Sequence, residues 1–119
     1  MPAVEQTSIL QTIKKLVGVD VDDTSFDTDI LIQINGAFGT LTQLGVGPVG
    51  GFAILGGDEQ WPAYSTSVTI VNMVKTYLLY KTKLGFDPPA TSFAINAIES
   101  QIKELEFRLL VQAKEVTTV

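Results

Sequence analysis

Apolar residues recur at intervals of three and four along four stretches of this chain, the spacing that places them on one face of an α-helix. In the first stretch Ile9, Ile13, Leu16 and Val17 share a stripe. Thr7 or Ser8 supplies its N-cap, and Gly18 marks its end. Lys14 and Lys15 fall near its C-terminus, where the helix dipole favours cations. A second stripe runs Ile30, Ile34, Phe38, Leu41, from a cap at Ser25 or Asp27 to Gly45, which stands where a C′ glycine ends a helix. Gly36 and Gly39 weaken this helix by about 1 kcal/mol each relative to Ala. The expected return is a close approach by another backbone. Between the two helices, residues 19–27 read as an acidic, solvated loop that caps the helix after it.

The third helix is predicted from about Ser65 to Leu84. Val68, Val71, Val74, Leu78 and Lys81 mark one face, and Ile70, Met73, Tyr77 and Leu84 widen it, so this helix belongs at the centre. Gly85 and the pair Pro88-Pro89 stop it. The double proline makes a stiff corner from which the last helix returns antiparallel, capped by Thr91 or Ser92. Ile95, Ile98, Ile102, Leu105 and Leu109 form a seam of only about two heptads, read as internal packing in preference to a dimer surface. Residues 112–119 are read as a flexible tail.

Residues 45–64 break the pattern. Six glycines and two prolines there exclude a continuous helix. The run Phe52-Ala53-Ile54-Leu55, bracketed by Gly-Gly pairs, reads as a short β segment or a hydrophobic loop tip. A loop this long in a small domain points to function or mobility. The expectation is one all-α domain over residues 1–119, with a four-helix core of two antiparallel hairpins and a mobile Gly/Pro-rich loop at 45–64. Partner binding is assigned to Phe52, Ile54, Leu55, Trp61 and Tyr64 in that loop, and to Val116 and Val119 in the tail.

Composition narrows the chemistry. The 119 residues contain no cysteine and no histidine, which removes disulfides, thiolate zinc sites, Ser–His and Cys nucleophile systems and histidine acid–base catalysis. The glycine-rich stretch lacks the Gly-Lys-Ser/Thr step of a phosphate-binding loop. Counting from Asp20, the acidic loop has Ser25 and Leu31 where a calcium loop requires glycine and glutamate. Asp58 and Glu59 are adjacent, without the fixed separation that carboxylate catalysis needs. No enzyme and no cofactor are expected. The start of the chain lacks the basic and apolar regions of a signal peptide, and no apolar run is long enough for a membrane span. The net charge of −5 argues against a surface that grips nucleic acid. Charged residues make up 18%, below the roughly 25% of an average soluble domain. Apolar surface left over in this way favours a protein that meets partners.

Four segments carry a family resemblance. Residues 9–19, followed by Asp27-Thr28-Asp29-Ile30-Leu31-Ile32, resemble the opening of phage head–tail connector proteins. Residues 77–89, which end Gly85-Phe86-Asp87-Pro88-Pro89, and Ile102-Lys103-Glu104-Leu105-Glu106-Phe107-Arg108-Leu109 resemble their close. The glycine-rich loop has no counterpart in the resemblance. What it implies is a structural virion protein, made in the cytoplasm of a bacterial host. Such a protein forms a ring, commonly twelvefold, between the portal and the stopper or tail. Its implied partners are the portal protein, the stopper or tail-completion protein and other copies of itself. Double-stranded DNA passes through without sequence-specific binding, and no membrane is involved. The alternative is a small helical adaptor that binds a host or phage protein through Trp61 and Phe52–Leu55.

Overall fold

The computed structural model describes residue 4 and residues 6–117, the last three of these as backbone only. Among the described residues the architecture is all-α: α1 (Ile9–Leu16), α2 (Asp27–Gln43), a single turn α3 (Trp61–Tyr64), α4 (Val68–Phe86) and α5 (Ser92–Thr117). α4 is the hub, packed against α2, α5 and α1, and α1 also meets α2. One apolar cluster joins all of them. The α4/α5 hairpin is antiparallel: Tyr77 bonds Glu106, Ile70 lies by Ala113, and Lys81 shares a groove with Ile102.

The helix faces follow the spacing in the sequence. Ile30, Ile34, Phe38 and Leu41 of α2 are buried, as are Val71, Val74 and Leu78 of α4 and Ile102, Leu105 and Leu109 of α5. In α1 the buried set is Ile9, Leu10 and Ile13, while Leu16 is half exposed. The Ser8 hydroxyl caps α1 by accepting from the Gln11 amide, and the Thr91 hydroxyl does the same for Ala94 at the start of α5. α1 and α2 end alike. Gly18 (φ 85°) and Gly45 (φ 84°) take the left-handed conformation. Val19 and Val46 then return their amides to the Lys14 and Leu41 carbonyls, closing a Schellman motif at each end.

Several elements depart from the sequence reading. No side chain caps α2: Phe26 occupies the cap position, and Asp27 is the first helical residue. Gly36 and Gly39 face outward, and a Cβ added at either would meet nothing, so no second backbone approaches there. Gly85 does not stop α4, which runs on to Phe86. A Cβ at Gly85 would run into the Gln33 side chain, so this glycine makes room for α2 rather than ending a helix. Residues 112–117, expected as a tail, continue α5, and Ala113 is buried. Phe52–Leu55 forms no strand. The one β-type pairing among the described residues is an antiparallel bridge between Ser8 and Gln60.

The acidic loop is more than a solvated cap. Lys14, from the last turn of α1, is fully buried. Its ammonium donates to the carbonyls of Val21 (3.1 Å) and Asp23 (2.8 Å) and pairs with the Asp27 carboxylate at 2.8 Å. The loop is therefore wrapped around a cation that belongs to the preceding helix. Local turns hold the rest of it: the Asp20 carboxylate accepts from the Asp22 amide and that of Asp23 from Ser25. Lys14→Met keeps the length of the side chain but strands two carbonyls and a carboxylate. It should lower the unfolding free energy by about 3 kcal/mol in urea titration, the lower end for a broken buried pair, because Asp27 keeps some solvent. An unchanged midpoint would show that the loop does not depend on Lys14.

Candidate assembly surfaces

The glycine-rich segment is built by side chains that reach it from the helices. Before the turn α3 its backbone has no helix or sheet to satisfy it, so its polar groups need other partners. Asn35 of α2 supplies two: its amide donates to the Ile54 carbonyl (2.9 Å), and its carbonyl accepts from the Ile54 amide (2.8 Å). The Glu59 carboxylate accepts from the amides of Leu55 (2.6 Å) and Gly56 (3.4 Å). These bonds, led by that from Leu55, hold the Glu59 carboxyl below its ordinary value. Further on, the Ile9 amide donates to the Glu59 carbonyl and the Trp61 amide to the Thr7 carbonyl, which stitches the segment to the start of α1. The loop expected to be mobile is thus tied at both α1 and α2.

These ties sort the expected partner-binding residues. Trp61 is fully buried, with its indole N–H donating to the Thr12 hydroxyl (3.1 Å) and the Lys75 ammonium 5.4 Å from its ring centre. Tyr64 and Ile54 are buried too. Phe52 is half buried and packs edge-on to Phe38 and Tyr64, with ring centres 5.0 and 5.2 Å apart. Burial holds the Tyr64 phenol well above its usual range. These four side chains therefore form the inner wall of the loop. Leu55 stands out from it at 92% exposure. The Val116 side chain and Val119 lie outside the described residues.

Other exposed apolar side chains were not singled out from the sequence. Val49 is fully exposed at the tip of the segment, and Ile32 projects from α2. On α5, Phe93 (86% exposed), Phe107 (67%) and Val111 lie on the outer face, opposite Ile102, Leu105 and Leu109. In the sequence Phe93 and Phe107 stand fourteen residues apart, outside the internal seam, with the polar Ser100 midway between them. A groove of about 250 Å³ runs beside this outer face, lined by Thr69, Met73, Phe107, Arg108, Val111 and Gln112. A second groove, about 440 Å³, lies among α2, α4 and α5 and is lined in part by Lys81, Glu99, Lys103 and Glu106.

Among the described residues the fold is all-α, with a tethered apolar knob and outward phenylalanines, and the first half of the sequence is acidic. Among the described residues no cluster of carboxylates is placed to hold a metal ion, and no helix is long and apolar enough to cross a membrane. The family model described as phage connector protein matches residues 9–116. The chain belongs to the phage connector protein family. The match takes in the glycine-rich segment as well as the helices. No curated protein and no solved structure matches the chain. As a phage connector protein it has a structural role in the phage particle, and its exposed apolar side chains are candidate contacts with other phage proteins.

Two predictions concern the connector's tethered knob. Asn35→Ala removes both bonds to Ile54 and should lower stability by about 1–3 kcal/mol. Hydrogen exchange should then quicken at the Ile54 and Leu55 amides while the α4 core stays protected. Equal protection in both proteins would show that Asn35 does not hold the loop. Glu59 gives the tether a pH dependence. Its carboxyl is lowered in the fold, so its contribution is complete above the ordinary value of 4.5 and is lost as pH falls through the lower folded value. The Leu55 amide should therefore lose its protection and its downfield NMR shift on acidification. In Glu59→Gln these should be weakened already at neutral pH.

Proposed function

We propose that this connector protein is a subunit of a ring at the head–tail junction, seated between the portal and the stopper or tail. There it extends the DNA channel and completes the head for tail attachment. The observation that carries this reading is the family match across residues 9–116. The surface agrees with it. Leu55, Val49, Phe93 and Phe107 are left outside a core already closed by α1, α2, α4 and α5, and such side chains gain most by meeting neighbouring subunits. The net charge of −5 suits a wall that DNA passes without sticking, because affinity for the duplex rests on cations that neutralise phosphates. The protein is made in the bacterial host and ends in the virion.

The adaptor alternative loses its main anchor. Trp61 is sealed between α1, α4 and the loop and has no face to offer a host protein, which leaves Leu55 as the large exposed side chain of the Phe52–Leu55 run.

The test is co-sedimentation of the purified protein with portal assemblies of the same phage, followed by negative-stain imaging. The expected result is a ring of added density at one end of the portal. Absence of binding, with the same portals competent for other neck proteins, would overturn the ring reading in favour of the adaptor.

A further inference from the structure

Two exposed features complement each other and sit on different elements. The first is the knob. Leu55 is nearly fully exposed, yet its backbone is fixed by Glu59 and, through Ile54, by Asn35. A side chain held in this way loses little further backbone freedom on binding. Beside it, Asp58 is exposed and takes part in no ion pair among the described residues. Residues 45–67 contain Asp58 and Glu59 and no cation.

The second feature is the groove between α4 and α5. Met73, Phe107 and Val111 give it an apolar floor, and Arg108 is its one charge. Arg108 too is exposed and has no ion pair among the described residues. Apolar knob meets apolar groove, and an unpaired carboxylate meets an unpaired guanidinium. The larger groove fits worse, because two lysines and two glutamates line it. A two-fold pairing of α5 with itself is also disfavoured. The outer stripe that joins Phe93 to Phe107 carries Ser100 and Glu104 between them, so the apolar contact would be broken at its centre.

We propose that the occupant of the α4/α5 groove is Leu55 of a second copy of this chain, with Asp58 of that copy facing Arg108. The contact joins two different patches, so it is heterologous: each subunit offers a knob to one neighbour and a groove to the other, the arrangement that closes rings. It rests on the ring reading above and names the surfaces that would build the ring.

The chain has no cysteine, so linking sites can be chosen freely. Ala53→Cys beside the knob and Thr69→Cys in the groove lining are at exposed positions and leave Leu55, Asp58, Met73, Phe107, Arg108 and Val111 unchanged. The two proteins are mixed and treated with a short bismaleimide, alone at high concentration and on portal assemblies. Circular dichroism confirms that each variant folds. The expected product is a covalent heterodimer, reduced about tenfold by Leu55→Asp, the loss of one interface anchor. Arg108→Asp in the Thr69→Cys protein should also reduce it, and Asp58→Arg in the Ala53→Cys partner should restore it. No heterodimer in either setting, or homodimers of one variant in excess of it, would overturn the proposal. Portal binding without the heterodimer would reject this contact and leave the ring reading standing. The heterodimer without portal binding would do the reverse.

Discussion

A lysine ammonium with no solvent around it must find oxygen, because an unpaired buried charge costs several kcal/mol. Lys14 meets that demand with two carbonyls from the loop and the first carboxylate of α2. The requirement shapes everything that follows it in the chain. The loop must curl back over α1 to present the carbonyls of Val21 and Asp23, and α2 must begin where Asp27 can reach. Once Asp27 is placed, the stripe of Ile30, Ile34, Phe38 and Leu41 is aimed at α4. α2 starts without a side-chain cap because Phe26, which has no polar group to offer, occupies the cap position, and the negative charge of Asp27 in the first turn still favours the helix dipole.

The second corner of the molecule is solved by the same kind of interaction with weaker groups. Residues 45–64 cannot satisfy their own backbone, so α1 and α2 do it for them through Ser8, Asn35 and the chain around Thr7 and Ile9. Apolar packing then finishes the job. Trp61 slots against Thr12 under Lys75, and the rings of Phe38, Phe52 and Tyr64 cluster within contact distance. A segment that looks like a free loop by composition is a lid on the core.

The four long helices were legible because each repeats its apolar residues at the helical period, and the Schellman glycines at Gly18 and Gly45 mark two of the ends. What was hidden depends on contacts distant in sequence or on direction. Lys14 sits at a position where a solvated, dipole-facing lysine reads equally well, and only the fold of the loop turns it inward. Trp61 reads as an interface anchor because tryptophan is enriched there, but the same size and single N–H suit a buried site with a hydroxyl beside it. Gly85 reads as a helix stop until Gln33 is seen against it. Of the candidate surface, Leu55 was named for its place in an apolar run. The outer α5 stripe was missed, because the stronger internal seam accounts for most of the apolar residues on that helix.

The exposure of Leu55 is specified rather than left over. In an extended segment neighbouring side chains point opposite ways, so a slip of one residue would bury Leu55 and expel Ile54. Both residues are large aliphatics, and hydrophobicity alone would not choose between them. The choice is made by hydrogen bonds: one asparagine takes both the amide and the carbonyl of Ile54, and Glu59 takes the amide of Leu55. That set of bonds exists in only one register. A chain that needed merely to cover its core would have gained by placing a polar residue at position 55. Instead the polar groups of two side chains are used to hold an isobutyl group in water. In a phage connector protein, a leucine held outward at that energetic cost is a candidate contact with another phage protein.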